Sequence, residues 1–268
     1  MGELEDHFQR HTGRMVTKWR HYFEIYERHF AQYRGRPVRL VEFGIWHGGS
    51  LQLWRKYLGP EAHIVGVDRN AACSALAEPG TDIFIGDQSD AATHRALRER
   101  YGTFDIVIDD GGHRMDEQVT TFRELYPALS AGGVYLVEDV HTSYHGHWGG
   151  GLRRPGTFVE FAKQLIDQLH AWHGPPPGMQ ADYVTQTAFG LHFYPAVFVV
   201  EKRRMEPPQA VYAGAATMPL NLSELMFIVE MDLSAGRKAD ALEKLRIALD
   251  AAPGDNAVRA KIRELGTT

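Results

Sequence analysis

One cysteine in 268 residues, Cys73, rules out an intrachain disulfide and points to a reducing compartment. No run approaches the ~20 apolar residues of a membrane span. A basic surplus is missing as well. Against 34 Asp and Glu stand 29 Lys and Arg, a net charge of −5, which offers no footprint for nucleic acid or an anionic membrane. The opening stretch is polar and acidic (Glu3, Glu5, Asp6) and lacks the apolar core of a secretory signal, so a cytoplasmic protein is expected. What remains is ordinary for a globular chain, at 44% hydrophobic and 24% charged residues. The length suits one large α/β domain with an appendage.

Trp19, Tyr22, Phe23, Tyr26, Phe30 and Tyr33 recur every three or four residues, which predicts an amphipathic helix over 17–33 with an aromatic stripe for packing. Gly35-Arg36-Pro37 ends it. A first strand, Val38 to Phe43, runs into Gly44-Ile45-Trp46-His47-Gly48-Gly49-Ser50. A helix follows, then a second strand, His63 to Val67, closing on Asp68. This is the βαβ logic of a nucleotide-binding sheet. The glycine spacing is not the Gly-x-Gly-x-x-Gly that seats a pyrophosphate, which weighs against a nicotinamide cofactor. Glu-x-Gly with a downstream acid suits S-adenosylmethionine (SAM) instead. A third strand ends in Gly86-Asp87-Gln88-Ser89, where acid and amide could meet an adenine edge or cap the helix 91–100.

Two acidic clusters organise the chain. Ile106-Val107-Ile108 ends in Asp109-Asp110-Gly111-Gly112-His113, and Val134-Tyr135-Leu136-Val137 ends in Glu138-Asp139-Val140-His141. Helical spacing lies between them (Val119, Phe122, Leu125, Leu129), so the two runs read as parallel strands joined by a crossover, taken here as neighbours. Asp110, Glu138 and Asp139 then share one sheet edge, where open α/β sheets bind ligands. Three carboxylates there call for a positive charge, such as a hard divalent cation with oxygen ligands. The alternative is that they only cap helices or line a solvated rim.

Beyond them, Thr142 to Gly156 is rich in Gly, His and aromatics and suits a lid, and Thr157 opens a helix to about Trp172. Pro175-Pro176-Pro177 is a stiff connector. Strands over Tyr183–Ala188 and Leu191–Glu201, joined at Gly190, would close the sheet. Pro207-Pro208 and Ala213-Gly214-Ala215-Ala216 form a linker, with helices Ser223–Leu233 and Arg237–Ala251 after it. The expected domains are therefore 1–204 and 205–268, the second resembling a tetratricopeptide unit that must dock on something to persist.

Val41-Glu42-Phe43-Gly44, Asp68, Gly86-Asp87, the Asp109 to His113 run and Val137-Glu138-Asp139 together resemble the class I SAM-dependent methyltransferases. The chain is most similar to the metal-dependent sugar O-methyltransferases of antibiotic biosynthesis, over about residues 17–202. The resemblance implies a Rossmann-like α/β fold, a mostly parallel seven-stranded sheet with helices on both faces and a small C-terminal helical unit. It also implies SAM as methyl donor, with Glu42, Gly44, Ser50, Asp68, Asp87, Gln88 and Asp109 as cofactor contacts. Mg²⁺ would be held by Asp110, Glu138 and Asp139. His113 would be the base, with His141 as understudy. The acceptor would be a sugar hydroxyl of a glycoside and the enzyme a homo-oligomer without nucleic-acid or membrane partners. A catechol acceptor and a non-catalytic SAM-binding scaffold are the competing expectations.

Overall fold

A computed structural model describes residues 2–174, 178–211 and 222–266. It divides into two compact units, Met1–Glu206 and Pro207–Thr268. The connector Pro175–Pro177 and the segment Ala213–Ala216 lie outside the described residues.

In the first unit the strands are β1 (Arg39–Phe43), β2 (His63–Asp68), β3 (Thr81–Ile85), β4 (Phe104–Asp109), β5 (Leu129–Val137), β6 (Ala188–Tyr194) and β7 (Val197–Lys202). The helices are α1 (Glu3–Gln9), α2 (Tyr22–Phe30), α3 (Gly49–Leu58), α4 (Ala91–Tyr101), α5 (Met115–Leu125), α6 (Phe158–Leu169) and a short α7 (Tyr183–Thr187). All seven strands form one sheet in the order β3-β2-β1-β4-β5-β7-β6. β1 to β5 are parallel, and β7 runs antiparallel between β5 and β6.

The strand runs are apolar at nearly every position because helices cover both faces. Leu40, Ile106, Ile108, Leu136 and Val199 point toward one core with Tyr26, Phe30 and Trp54 of α2 and α3. Val41, Val107, Tyr135 and Val200 face a second core with Leu97, Phe122 and Phe158 of α4, α5 and α6. Each fully buried Leu, Val or Phe contributes about 1.5–3 kcal/mol.

Two expectations are corrected. The helix predicted over 17–33 starts only at Tyr22 and passes into a 3₁₀ turn at Ala31–Tyr33. Residues 15–19 form no regular element, and there the Lys18 ammonium is tied into the sheet edge. The closing hairpin turns at Pro195-Ala196 rather than at Gly190. Tyr183–Thr187 is helical there, capped by Asp182, whose carboxylate accepts from the Thr185 amide. Pro195 cannot donate to the ladder, and Ala196 adopts φ 62.

Among the described residues the second unit has three helices, α8 (Leu222–Ser234), α9 (Lys238–Ala251) and α10 (Asn256–Gly266), around Val229, Ala241, Leu245, Ala248 and Val258. Buried Asp232 pairs with Arg237 and Lys244. No helix among the described residues is long and apolar enough to cross a membrane.

Candidate active site

β1, β4 and β5 end level with one another. Phe43 pairs with Asp109, and Asp109 with Val137. The ladder continues one step further, with the Asp110 amide donating to Phe43 and the Glu138 amide to Asp109. Gly44, Asp110 and Glu138 therefore leave the sheet side by side. Gly44 has φ +79, and a Cβ there would collide with the Asp110 carbonyl, so only glycine lets the first loop approach the fourth strand this closely.

The acidic residues do not gather into the expected trio of Asp110, Glu138 and Asp139. Among the described residues they form two clusters that share Asp110. The reason is backbone direction. Glu138 follows strand alternation toward α2, while Asp139 has turned into the left-handed region at φ 53.

The inner cluster is Glu42, Asp110 and Glu138. Lys18 lies among them with its side chain only 3% exposed. Its Nζ donates to Asp110 Oδ2 at 2.6 Å and Glu138 Oε1 at 2.8 Å, and lies 3.6 Å from Glu42 Oε1. Tyr26 donates to Glu138 at 2.7 Å, and Ser50 to Glu42 Oε2 at 2.6 Å. Burial alone would lower the Lys18 ammonium, but Asp110, Glu138 and Glu42 outweigh it and hold it well above the ordinary lysine value. Burial pushes Glu138 and Glu42 up, Asp110 adds to both, and Lys18 pulls the other way. One ammonium faces three carboxylates here, and buried Glu42 Oε1 has no hydrogen-bond partner.

The outer cluster is Asp110, Asp139 and His113. His113 Nε2 is 3.6 Å from Asp139 Oδ2 and 3.9 Å from Asp110 Oδ1, with all three side chains 21% exposed. Its Nδ1 is buried. Tyr22 donates to Asp139 Oδ1 at 2.6 Å, and His141 Nδ1 lies 3.8 Å from the same oxygen. The edge is held in a costly backbone conformation: Trp46 (φ 45), His113 (φ 56) and Asp139 (φ 53) are all left-handed without being glycine. Each such residue costs on the order of 1 kcal/mol, a burden concentrated at ligand sites. The Thr142 hydroxyl, bridging the His113 and Asp139 carbonyls, ties the two strained turns together.

Beside the outer cluster is a cavity of about 390 Å³, lined by Gly44, Trp46, Asp68, Asp87, Gln88 and the Asp110–His113 loop. Three residues expected to touch a cofactor do not line it: Glu42 and Ser50 face the inner cluster, and Asp109 is fully buried behind Gln88. Gln88 donates to Asp109 at 2.5 Å and accepts from the Gly112 amide at 3.2 Å, so its amide braces the Asp110–His113 loop. Burial pushes Asp109 up to about 7, against those hydrogen bonds from Gln88 and Gly111.

Lys18, Tyr22 and Tyr26 are the site residues that sequence patterning missed. The tyrosines sit on a stripe that reads as packing, and only their hydroxyls reach the acids. Exposed Trp19, in edge contact with His141 at 5.8 Å, adds an aromatic wall beside Asp139.

Residues 41–140 match a family described as a methyltransferase domain. The chain is 38% identical over 215 residues to the 8-demethyl-8-(2-methoxy-alpha-L-rhamnosyl)-tetracenomycin-C 3'-O-methyltransferase of Streptomyces olivaceus, covering 76% of this chain and 54% of that protein. It is 37% identical over 190 residues to the mycinamicin VI 2''-O-methyltransferase of Micromonospora griseorubida, covering 67% and 47% respectively. Among solved structures, the MycE methyltransferase of the mycinamycin pathway, in complex with Mg and SAH, superposes with a TM-score of 0.69 at 34% identity, over 76% of this chain and 55% of that one. Sheet order and domain match together make the first unit a class I methyltransferase domain. More particularly, the chain is similar to the tetracenomycin and mycinamicin O-methyltransferases named above, and it spans about half the length of the curated relatives it matches.

Proposed function

We propose that this chain transfers a methyl group from SAM to a sugar hydroxyl of a glycosylated natural product, with Mg²⁺ held at the outer cluster. The observation that carries the reading is the meeting of Asp110, Asp139 and His113, two of which, Asp110 and His113, line the same cavity as Gly44, Asp68 and Asp87. Relatives named for sugar methylation, and a neighbour bound to Mg and SAH, support it.

The donor set fits a hard cation. Two half-buried carboxylates, Asp110 and Asp139, offer oxygen ligands within 4.8 Å of each other, with the His113 imidazole beside them. Lys18 serves the inner cluster, which leaves Asp139 without a lysine or arginine partner among the described residues. Asp110 and Asp139 would hold the ion, and Glu138, hydrogen-bonded to Lys18 beside Asp110, would complete the acidic set. Bound there, a divalent ion lowers the pKa of a coordinated hydroxyl and directs its oxygen. His113 takes the proton at Nε2, where two carboxylates within 4 Å compensate the ring's new charge. His141, on the other side of Asp139, is placed to orient that carboxylate or relay the proton. Asp68 accepts ribose hydroxyls, and Asp87 meets the adenine edge. Trp19 and Trp46, each more than half exposed, offer apolar faces to sugar and aglycone.

The same proposal covers a cytoplasmic homo-oligomer that binds no nucleic acid. Supporting it are the net charge of −5 and the edge strand β6, with Phe189 and Phe193 nearly half exposed. We also assign the C-terminal helices to a tetratricopeptide-like unit, supported by the pairing of α8 with α9 across Gly236.

The test is an assay with SAM against a panel of glycosylated natural products, read by mass. The expected result is a gain of one methyl, abolished by EDTA and restored by Mg²⁺. Full methylation in EDTA would refute the metal, and stabilisation by NAD but not SAM would refute the cofactor.

A further inference from the structure

On the sheet face under α2, away from the acidic edge, three metal-ligating side chains converge that methyl transfer does not use. His29 comes from α2, His192 from β6 and Glu201 from β7, and their ligand atoms lie within 4.8 Å of one another. We propose that His29, His192 and Glu201 form a second metal site that takes a borderline transition ion such as zinc.

The geometry suits that class. His29 Nδ1 is 3.0 Å from Glu201 Oε1, and His192 Nε2 is 3.5 Å from the same oxygen. A tetrahedral ion with bonds of about 2.0–2.1 Å places its ligands about 3.3 Å apart. Two imidazoles with one carboxylate select zinc-like ions over magnesium. The nitrogen that His29 would not use is already engaged, Nε2 lying 2.9 Å from the Tyr194 hydroxyl, which fixes ring orientation as a second partner of a metal ligand does. His192 Nε2 is buried with no hydrogen-bond partner.

Strand pairing makes the room. Gly190 sits opposite Glu201, and a Cβ there would come within 3.1 Å of His192 Nε2. A plain hydrogen-bonded triad would require His192 to donate to Glu201, a bond this geometry does not make. Glu201 pairs with Val134 of β5, three residues before Val137, so this centre is about 10 Å along the sheet from the acidic edge. An ion here would tie α2, the helix that sends Tyr22 and Tyr26 into the acidic clusters, to the β6–β7 hairpin.

The test uses whole protein stripped with a chelator and titrated with Zn²⁺ and Co²⁺ in excess Mg²⁺. Expected is one ion per chain, a tetrahedral cobalt spectrum and a higher melting temperature with zinc, all unchanged in Asp110→Asn. His192→Ala and Glu201→Gln should each weaken zinc binding more than about tenfold and lose the zinc-dependent rise in melting temperature. Both positions are about a third exposed, so metal-free melting of either variant near that of the parent certifies its fold. Absence of zinc binding in the parent, or binding undiminished in both variants, overturns the proposal.

Discussion

The two acidic clusters share Asp110 and lie side by side, yet they solve the same electrostatic problem differently. The inner one is sealed: Glu42 and Glu138 are almost fully buried, and the protein supplies its own cation in Lys18. The outer one is open: Asp110, Asp139 and His113 are each 21% exposed, His113 and Asp139 sit on strained turns, and Asp110 and His113 line a cavity. A buried carboxylate set needs a fixed counter-charge to fold, whereas a half-exposed one can await a ligand. Burial thus separates the cluster that holds the edge together from the cluster proposed to react.

Substituting the shared residue should do most harm. Asp110→Asn removes a carboxylate from both clusters, and kcat/KM for the methyl transfer proposed here should fall by at least about 10³-fold, ~4 kcal/mol of barrier. Calorimetric Mg²⁺ binding should be lost with it. Unchanged, EDTA-resistant turnover in this variant would break the distinction between the clusters.

Lys18→Met should act chiefly on the inner cluster, reaching the outer one only through Asp110. Leaving its carboxylates without a counter-charge should cost about 3–5 kcal/mol of stability, read from urea unfolding. His113→Ala is the complement. It should lower kcat about 10²-fold, near 3 kcal/mol, while SAM affinity and the urea midpoint stay close to those of the parent. A His113→Ala protein that unfolds easily, or a Lys18→Met protein as stable as the parent, would reverse the roles assigned to the two clusters.

Much of this edge is legible in the sequence, because strand ends announce themselves. Ile106-Val107-Ile108 and Val134 to Val137 are unbroken apolar runs, so the acids that terminate them had to emerge at the edge, and they do. Patterning cannot carry backbone handedness: nothing in Glu138-Asp139 says that the second residue turns left-handed and parts from the first. Nor does a lysine carry a mark that it will be threaded to acids 92 and 120 positions later. The hairpin of β6 and β7 was displaced for a similar reason. Gly190 resembles a turn residue, but here it makes space in a strand, and the turn belongs to Pro195.

The smallest effect separates Asp109, the last residue inside β4, from Asp110 just outside it. Asp109 is fully buried, and burial raises its carboxyl to about 7. A folded value above the unfolded one, about 3.9, means the fold prefers the protonated acid. The contribution is complete below the ordinary carboxylate range and drains away as pH rises through 7. Between pH 6 and 8 the metal-free protein should lose about 1 kcal/mol through this group. Other groups titrate in that window too, so the informative quantity is the difference from Asp109→Asn, whose amide oxygen can still accept from Gln88. Urea midpoints of both proteins at pH 6 and pH 8, in chelator, should show the parent falling more steeply than the variant. Equal slopes would mean that Asp109 is ionised throughout, placing a third buried negative charge behind the acidic edge and making the Lys18 counter-charge more necessary still.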